Sequence, residues 1–504
     1  MLRVTSHCLL MAMILGMLAA PVRSEDYSPG EIVVVVVDSQ LTDAFEKVIG
    51  SVRSGELVEI EEVNAEKLRL TDGGCLLRNK VMPTNRKAID RLTTQIKADP
   101  NNSRLYAARA AVWVSLLKWE QAIGDANEAI RLDPNPDTYC NRGLAWRMKG
   151  EHAKALVDFD EAIRIDPKHA RSFRSRAYTW ECRGEWDKSI SDYSEAIRIG
   201  PVSADLYGRR ANVWNHEGEH QKAILDYNEA LQLNPDCVKY LAWRGLHLSR
   251  INEHDKAMVD FNEAIRLYPQ RGKPQDLQLW QIYLFRSGTW ESHEDFDKAM
   301  ADLDEIDRIE PQGPWVHGIR GRLWEVMGED QKAISEYNEE ILAAPKDANA
   351  YYARGMIHLL LRKQESLDDF CRAIEITQGQ TATARLSAIY GCLSAKLLGN
   401  EKRAELFLQM FETTRFKQWP APFAKLLRGE LDEPAFLDLA KKKDEWASSH
   451  EAEAHCLLGL KYLSEGHPTE SATHFQWVKA NCPKGSRAYS MSVSELKRLD
   501  PATP

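Results

Sequence analysis

The stretch RMKGEHAKALVDFDEAIRIDP, from Arg147 to Pro167, recurs with substitutions three more times along the chain. The later copies end at Pro201, Pro235 and Pro269, and each is 34 residues from the one before. A period in this range predicts a solenoid, in which helical hairpins of one length stack on their neighbours.

Each unit divides into two stretches whose small and aromatic residues recur at helical spacing. In one unit the first stretch has Tyr139, Gly143 and Trp146; in the second are Ala155, Phe159, Ala162 and Pro167. These residues resemble the tetratricopeptide repeat, a pair of antiparallel helices. The resemblance implies a mainly α fold, a superhelix of such pairs, in which a proline closes each repeat.

We predict eight such units over residues 103–377, with an insertion of eight residues before the sixth, near residues 270–277. A lone capping helix is expected at 86–100. A degenerate unit, marked by Gly391, Ala404 and Leu408, is expected at 383–415. Terminal units of a solenoid are atypical because one side of each meets water.

The string His216-Glu217-Gly218-Glu219-His220 matches the H-E-x-x-H motif of zinc peptidases, which needs both histidines on one helix face. Gly218 occupies the place of Gly150 and Gly184 in the other units. We therefore predict a turn between the two histidines. No metal, cofactor or catalytic residue is expected, and the chain is not predicted to be an enzyme.

Two charged rows run along the units. An arginine recurs in the first helix at Arg109, Arg142, Arg176, Arg210, Arg244, Arg286, Arg320 and Arg354. An acid recurs in the second helix at Asp125, Asp158, Asp192, Asp226, Asp260, Asp302, Glu336 and Asp369. The rows could form a ladder of positive charge for an anionic polymer, but partly buried ion pairs are the favoured interpretation. The tryptophan row is interpreted as core.

In tetratricopeptide proteins the first helices line a concave surface, which implies where a partner would bind. Mapped onto this chain, that face holds mixed charged, amide and ring groups suited to a peptide or a protein surface. The predicted groove residues are Arg171, Arg174, Tyr178, Glu181, Asn212, Asn215, His216, Leu246 and Arg250. In the eighth unit the same face is apolar, and it is either covered by the C-terminal helices or a docking site.

Near the start of the chain, the positive charge of Arg3 precedes an apolar run from Cys8 to Ala20, which is too short to span a bilayer. We interpret residues 1–24 as an export signal, so the mature protein should be periplasmic or extracellular, with no membrane span. A formal charge of −9 argues against nucleic-acid binding. The eight cysteines that follow the signal have irregular spacing and are interpreted mainly as buried thiols.

Residues 27–84 alternate β-branched residues with turns, which predicts hairpins. Their order resembles bacterial SH3-like domains, which implies a small β-barrel. That family often follows an aromatic strand end with Gly-Trp, whereas this chain has Leu68-Arg69-Leu70 and then Gly74-Cys75.

Residues 416–500 include QWPAPFAKLLRGELDEPAFLDLA and later SVSELKRL. They are similar to the end of NlpI-like bacterial lipoproteins, a family of tetratricopeptide proteins. The resemblance implies capping helices and an envelope adaptor that brings other proteins together. The leading hypothesis is therefore an exported scaffold for protein or peptide partners. The alternative is a cell-wall or glycan-binding protein in which the SH3-like domain leads and the repeats act as a spacer.

Overall fold

The computed structural model describes seven strands and residues 86–271, 277–311, 313–413, 419, 421–441, 447–482 and 486–500. The described chain is mainly α. It divides into two compact units, residues 1–276 and 277–504, and the boundary falls in the predicted insertion. The export signal lies outside the described residues.

The strands of the first unit are β1 (Ile32–Val35), β2 (Ser39–Thr42), β3 (Val48–Val52), β4 (Leu57–Val63), β5 (Lys67–Leu70), β6 (Cys75–Leu77) and β7 (Val81–Pro83). They pair antiparallel in the order β3-β2-β6-β5-β4-β1-β7. The SH3-like assignment of this segment stays a prediction.

The helices of the first unit are α1 (Arg86–Ala98), α2 (Ser103–Ser115), α3 (Trp119–Leu132), α4 (Pro136–Met148), α5 (His152–Ile165), α6 (Ala170–Cys182), α7 (Trp186–Ile199), α8 (Ala204–His216), α9 (His220–Leu233), α10 (Val238–Arg250) and α11 (His254–Arg271). From α2 onward, an even-numbered helix and the next odd-numbered helix form one repeat, and the repeats pack in series.

The second unit begins with α12 (Leu279–Ser292), α13 (Phe296–Ile309), α14 (Trp315–Val326), α15 (Asp330–Ala343), α16 (Ala348–Leu360), α17 (Glu365–Thr377), α18 (Ala382–Leu397) and α19 (Glu401–Thr413). It continues with α20 (Ala421–Leu427), α21 (Glu433–Ala440), α22 (Ala447–Ser464), α23 (Pro468–Asn481) and α24 (Arg487–Leu499). Here too, consecutive helices pair into hairpins, from α12 with α13 to α22 with α23.

A left-handed residue makes the turn between the two helices of each repeat. Glycine serves at Gly150, Gly184, Gly218 and Gly328, and other residue types adopt positive φ at the equivalent places in the other repeats. The prediction that proline closes each repeat is wrong at Pro269, since α11 continues through it to Arg271. In the sequence the insertion, and not the next helix, follows Pro269, so α11 does not have to end at the proline.

In six of the eight repeats a buried ring of the second helix packs on a small residue of the first; the first repeat has Ala126 at the place of the ring and the sixth has Leu303. Phe159 is fully buried, and a Cβ added to Gly143 would lie 2.7 Å from its ring. The degenerate unit keeps this pair as Gly391 and Phe407, where the added Cβ would lie 2.5 Å from the ring. Leu408, the residue expected to mark this unit, is not the one that packs on Gly391; Phe407, one residue earlier, takes that place.

Bidentate ion pairs join the two helices within seven repeats. The arginine Nε and Nη2 both donate to one carboxylate, as in Arg210–Asp226 at 2.8 and 2.6 Å. The pairs are Arg109–Asp125, Arg142–Asp158, Arg176–Asp192, Arg210–Asp226, Arg244–Asp260, Arg286–Asp302 and Arg354–Asp369. The interpretation of the two rows as internal ion pairs is confirmed at these places.

The eighth predicted pair, Arg320 with Glu336, is wrong. Glu336 instead contacts His317, with Oε2 2.8 Å from Nδ1. Arg320 donates to Asp304 and Asp307 of α13. A histidine in the preceding turn of α14 engages the longer glutamate, and two carboxylates of the preceding repeat engage the arginine.

The third guanidinium nitrogen, Nη1, reaches the second helix of the preceding repeat at Arg142, Arg176, Arg210, Arg244 and Arg354. Nη1 of Arg210 donates to Ser194 Oγ at 2.9 Å, and Nη1 of Arg244 donates to Asn228 Oδ1 at 2.8 Å. Burial raises the pKa of Asp158 and Asp192 although an arginine opposes that shift. A buried pair under this desolvation cost fixes geometry more than it adds stability.

The tryptophan row is only partly buried, so the interpretation as core is incomplete. Trp146, Trp180 and Trp214 each have a lysine of the next helix over the ring, with the ammonium nitrogen 4.5 Å from the centroid. Among the cysteines of the described chain, Cys140, Cys392 and Cys456 are buried thiols, whereas the Cys182 thiol is exposed.

We predict opposite effects for two glycine-to-alanine substitutions. Gly143→Ala should lower the free energy of unfolding by about 1–3 kcal/mol, because the new methyl overlaps the buried Phe159 ring. Gly124→Ala should raise it by about 0.5–1 kcal/mol, because nothing lies within 4 Å and alanine favours the helix. Urea unfolding followed by circular dichroism measures both, and equal effects would contradict the close approach at Gly143.

Removing one arginine of the internal pairs should destabilise the fold. Arg210→Leu leaves the Asp226 carboxylate, 6% exposed, without its bidentate donor, and should cost about 3 kcal/mol. Arg198→Gln is the matched control, because Arg198 is 67% exposed and pairs with Glu195 on the surface. Its urea midpoint should equal that of the wild type. Equal midpoints for all three proteins would show that the internal pair is dispensable.

Candidate partner-binding face

The first helices of the repeats in the first unit contact one another in series, α2 with α4 and α4 with α6. One side of each first helix packs on its own second helix. We call the surface formed by the other sides of α4, α6, α8 and α10 the first-helix face. The nine predicted groove residues lie on α6, α8 and α10.

Most of the predicted groove residues are accessible. Arg174, Tyr178, Glu181, Asn215 and Leu246 are partly exposed, and Asn212, His216 and Arg250 are exposed. Arg171 differs, since it is only 9% exposed.

Arg171 belongs to a polar network that ties α6 to α4. Its Nη2 donates to Asn141 Oδ1 at 2.9 Å. Next to it, His169 Nε2 donates to Asp137 Oδ1 at 2.9 Å, and His169 Nδ1 lies 2.7 Å from Ser172 Oγ. This network holds the neighbouring first helices α4 and α6 together. Arg171 therefore has a structural contact beneath the surface and is not itself accessible to a partner.

The centre of the first-helix face is Tyr178, whose ring is contacted by arginines from the repeats before and after it. The guanidinium carbon of Arg147 lies 4.4 Å from the ring centroid, and that of Arg209 lies 5.2 Å from it. Cation–π contacts of this kind strengthen when water is partly excluded. Arg209 Nε also donates to Asp205 Oδ2 at 2.8 Å. Three repeats therefore meet around one tyrosine ring.

Glu181 lies one helical turn from Tyr178, and its Oε2 accepts a hydrogen bond from Tyr193 Oη at 3.0 Å. Burial raises the pKa of Glu181; the Tyr193 hydrogen bond opposes that rise, and repulsion from Asp205 adds to it. Arg147 also opposes it, with a smaller effect. Glu181 is thus a half-buried carboxylate whose charge is incompletely balanced.

In the second unit, the corresponding face is covered by the chain's own C-terminal helix. Helix α24 packs against the first helices α14 and α16. Arg487, its first residue, donates from Nε and Nη2 to both oxygens of Glu325 at 2.8 and 3.0 Å. Further along α24, Glu495 is fully buried and pairs with Arg362 at 2.8 Å.

The apolar strip of the eighth unit is buried beneath these C-terminal helices. Met356 and Leu359 are each 1% exposed, and Leu360 is 6% exposed. They join one core cluster with residues of α18, α22 and α24. Of the two interpretations left open for this strip, the structure supports coverage.

The histidines of the H-E-x-x-H string lie on different helices, which confirms the predicted turn. His216 ends α8, His220 begins α9, and Gly218 between them has φ +70°. The His216 ring stacks on Trp186 with centroids 4.2 Å apart. Among the described residues, no group of three or more His, Cys, Asp or Glu is placed to hold a metal ion.

His220 instead faces a second histidine. The Nδ1 atoms of His220 and His247 are 3.2 Å apart, and His247 is fully buried. Burial lowers the pKa of His247 to about 4, with the charges of His220 and Arg250 adding to the shift. Burial also lowers the pKa of His220.

Sequence reasoning missed three residues of the Tyr178 cluster: Arg147, Asp205 and Arg209. The residue type at each of these places changes from repeat to repeat, and the place of Arg147 holds Glu181 in the next repeat, so no single row marks them. A comparison of successive first helices for opposite charges around an aromatic residue would have indicated them.

Comparison with known families identifies the repeat. The tetratricopeptide repeat family matches residues 136–169 and 204–237, two of the units described above. Within the described residues, no helix combines the length and apolar character needed to cross a membrane.

Solved structures with some likeness to this chain are also tetratricopeptide proteins. One, from Parabacteroides merdae, is 16% identical, with 54% of this chain and 99% of that chain covered and a TM-score of 0.37. The C-terminal part of a repeat protein from Cytophaga hutchinsonii is 16% identical, with 46% and 92% covered and a TM-score of 0.40. YrrB, described as having an unusual peptide-binding site, is 19% identical, with 37% and 92% covered and a TM-score of 0.33.

The His247 environment predicts a pH-dependent stability. The folded pKa, about 4, lies below the ordinary 6.5, so between these values the unfolded chain binds a proton that the folded chain does not. Stability should therefore fall as the pH drops through this window. From about pH 7 to about pH 5, His247→Phe should lose about 2 kcal/mol less than the wild type.

Urea unfolding at both pH values measures this difference. His216→Phe is the matched control, because its ring is exposed and a phenyl ring can keep the stack on Trp186. Parallel losses for the wild type and His247→Phe would contradict the assignment to His247.

Proposed function

Because the chain carries tetratricopeptide repeats, which generally serve as protein-interaction scaffolds, we propose that it is an exported, non-enzymatic adaptor. It binds protein or peptide partners on the concave surface formed by the first helices of residues 103–271. Export rests on the signal-like residues 1–24. The adaptor role is the one that the NlpI-like resemblance of residues 416–500 implies.

The observation that carries this proposal is the Tyr178 cluster. Tyrosine and arginine are the residues most enriched among the strong contributors to protein interfaces. Here Tyr178, Arg147 and Arg209 lie together, with the carboxylates of Glu181 and Asp205 beside them. Arg147 is buried and the other four side chains are partly exposed, so the cluster presents both charge signs at the surface. It favours partners with a complementary arrangement, and charges of this kind contribute specificity more than raw affinity.

The covered face of the second unit gives this proposal further support. There α24 is held by an ion pair with Glu325 of the first helix α14 and by a second ion pair with Arg362, in the turn that follows the first helix α16. In the second unit the covered side of the first helices therefore holds a protein segment, and we infer the same use for the first-helix face of the first unit. In the first unit, residues such as Asn212 and His216 are exposed instead.

A crosslinking pull-down from the envelope fraction of the native cell, with the full mature chain as bait, supplies partners. Arg174→Ala combined with Asn215→Ala should raise the Kd for a recovered partner about ten-fold without changing the urea midpoint, because both side chains lie on the first-helix face. Titration with the purified partner measures the Kd.

Arg198→Ala combined with Gln232→Ala is the matched control, since it removes an arginine and an amide from the exposed sides of the second helices α7 and α9. The control should bind as the wild type does. The same Kd for both double variants would argue against the first-helix face. Binding lost only when residues 27–84 are deleted would favour the glycan-binding alternative.

A further inference from the structure

Three repeats carry a glutamate directly after the tryptophan of the first helix: Glu181, Glu291 and Glu325. In the second unit this position contacts α24 at Glu325, and α24 packs on the first helices there. The three carboxylates occupy equivalent places, so their surroundings can be compared directly.

Two of the three carboxylates bind an arginine through both oxygens. Glu291 accepts from Nη1 and Nη2 of Arg322, with the Nη2 contact at 2.7 Å. Glu325 accepts from Nε and Nη2 of Arg487. The flat guanidinium matches a carboxylate in this two-point geometry better than an ammonium does. The position is therefore one where this chain binds arginine.

Glu181 is the third carboxylate, and in the described chain no guanidinium is bidentate to it. Arg322 lies 31 residues after Glu291, and the residue 31 places after Glu181 is Asn212. The Asn212 Oδ1 accepts from Tyr227 Oη at 2.5 Å. The neighbouring repeat thus supplies an amide where the second unit supplies an arginine.

The surroundings of Glu181 repeat those of Glu325 in a second respect. Tyr193 Oη donates to Glu181 Oε2 at 3.0 Å, and Tyr337 Oη donates to Glu325 Oε2 at 3.2 Å. In each repeat the tyrosine is twelve residues after the glutamate. The tyrosine hydroxyl donates to Oε2 and orients the carboxylate, which leaves Oε1 of Glu181 available to a further donor.

We propose that Glu181 is the recognition residue for an arginine of a partner protein, held bidentately as Glu325 holds Arg487. The proposal rests on the proposed function and names the partner's chemistry. Beside Glu325, Arg487 lies over the Tyr352 ring, and the buried Met356 follows one turn later; the equivalent places beside Glu181 are Gly208 and Asn212. A segment that binds at Glu181 accordingly meets the Asn212 amide where the second unit has an apolar side chain.

The test begins with a random 12-residue peptide library selected on the immobilised full chain. A selected peptide is synthesised with its arginine, and again with that residue replaced by lysine or by glutamine. Fluorescence anisotropy gives the Kd of each peptide for the wild type, for Glu181→Gln and for Glu217→Gln. Glutamine keeps the size of Glu181 and an acceptor for Tyr193, and Glu217 is an exposed control one repeat away.

The proposal predicts that selection enriches arginine at one peptide position. Replacing that arginine by glutamine should weaken binding to the wild type about ten-fold or more, and replacement by lysine should also weaken it. Glu181→Gln should weaken binding of the arginine peptide by a similar factor and leave the Kd of the glutamine peptide unchanged. Glu217→Gln should bind as the wild type does.

If the selected peptides bind Glu181→Gln as tightly as they bind the wild type, the proposal is overturned. If their binding is nevertheless weakened by Arg174→Ala combined with Asn215→Ala, the proposed function stands. Failure to select any peptide would count against both. Dimerisation of the full chain that is abolished by Glu181→Gln would assign the site to a second copy of this chain, which also overturns the proposal.

Discussion

A guanidinium group that contacts three helices at once underlies the regularity of the repeats. Its Nε and Nη2 bind a buried carboxylate of the same repeat, and its Nη1 reaches the second helix of the repeat before, as Arg176 does with Asp192 and Asp160. The pair fixes the separation of two helices and the register of two repeats together. Since the desolvation cost offsets much of the attraction, its main effect is geometric specificity.

The same pairing neutralises seven of the eight arginines in the row, and Arg320 is neutralised by Asp304 and Asp307 instead, so the row does not make a cationic surface. The charges are used inside the repeats, so the first-helix face acquires its character from residues that do not recur. In the first unit these are Arg147, Tyr178, Glu181 and Arg209. In the second unit the equivalent side is apolar in part and packs against α24. One scaffold therefore presents two different surfaces.

The period of 34 residues made the helical hairpins and their core pairs predictable from sequence, because small and aromatic residues recur in register. The Arg–Asp pairs followed from two parallel rows. Where a row is interrupted, the inference failed: Glu336 pairs with His317, and Phe407 rather than Leu408 packs on Gly391. Side chains that act once, such as Asp205, leave no periodic signal. The contact of Arg487 with Glu325 joins residues that are 162 positions apart, and no local pattern indicates it.

Amide hydrogen exchange of the full mature chain, with and without a purified partner, tests most directly whether the first-helix face is the binding surface. If the partner binds on this face, it slows exchange in α6 and α8, while α7, α9 and α24 keep their rates. Slowed exchange confined to the second helices or to residues 32–83, or faster exchange in α24 as the partner displaces it, would contradict the central claim.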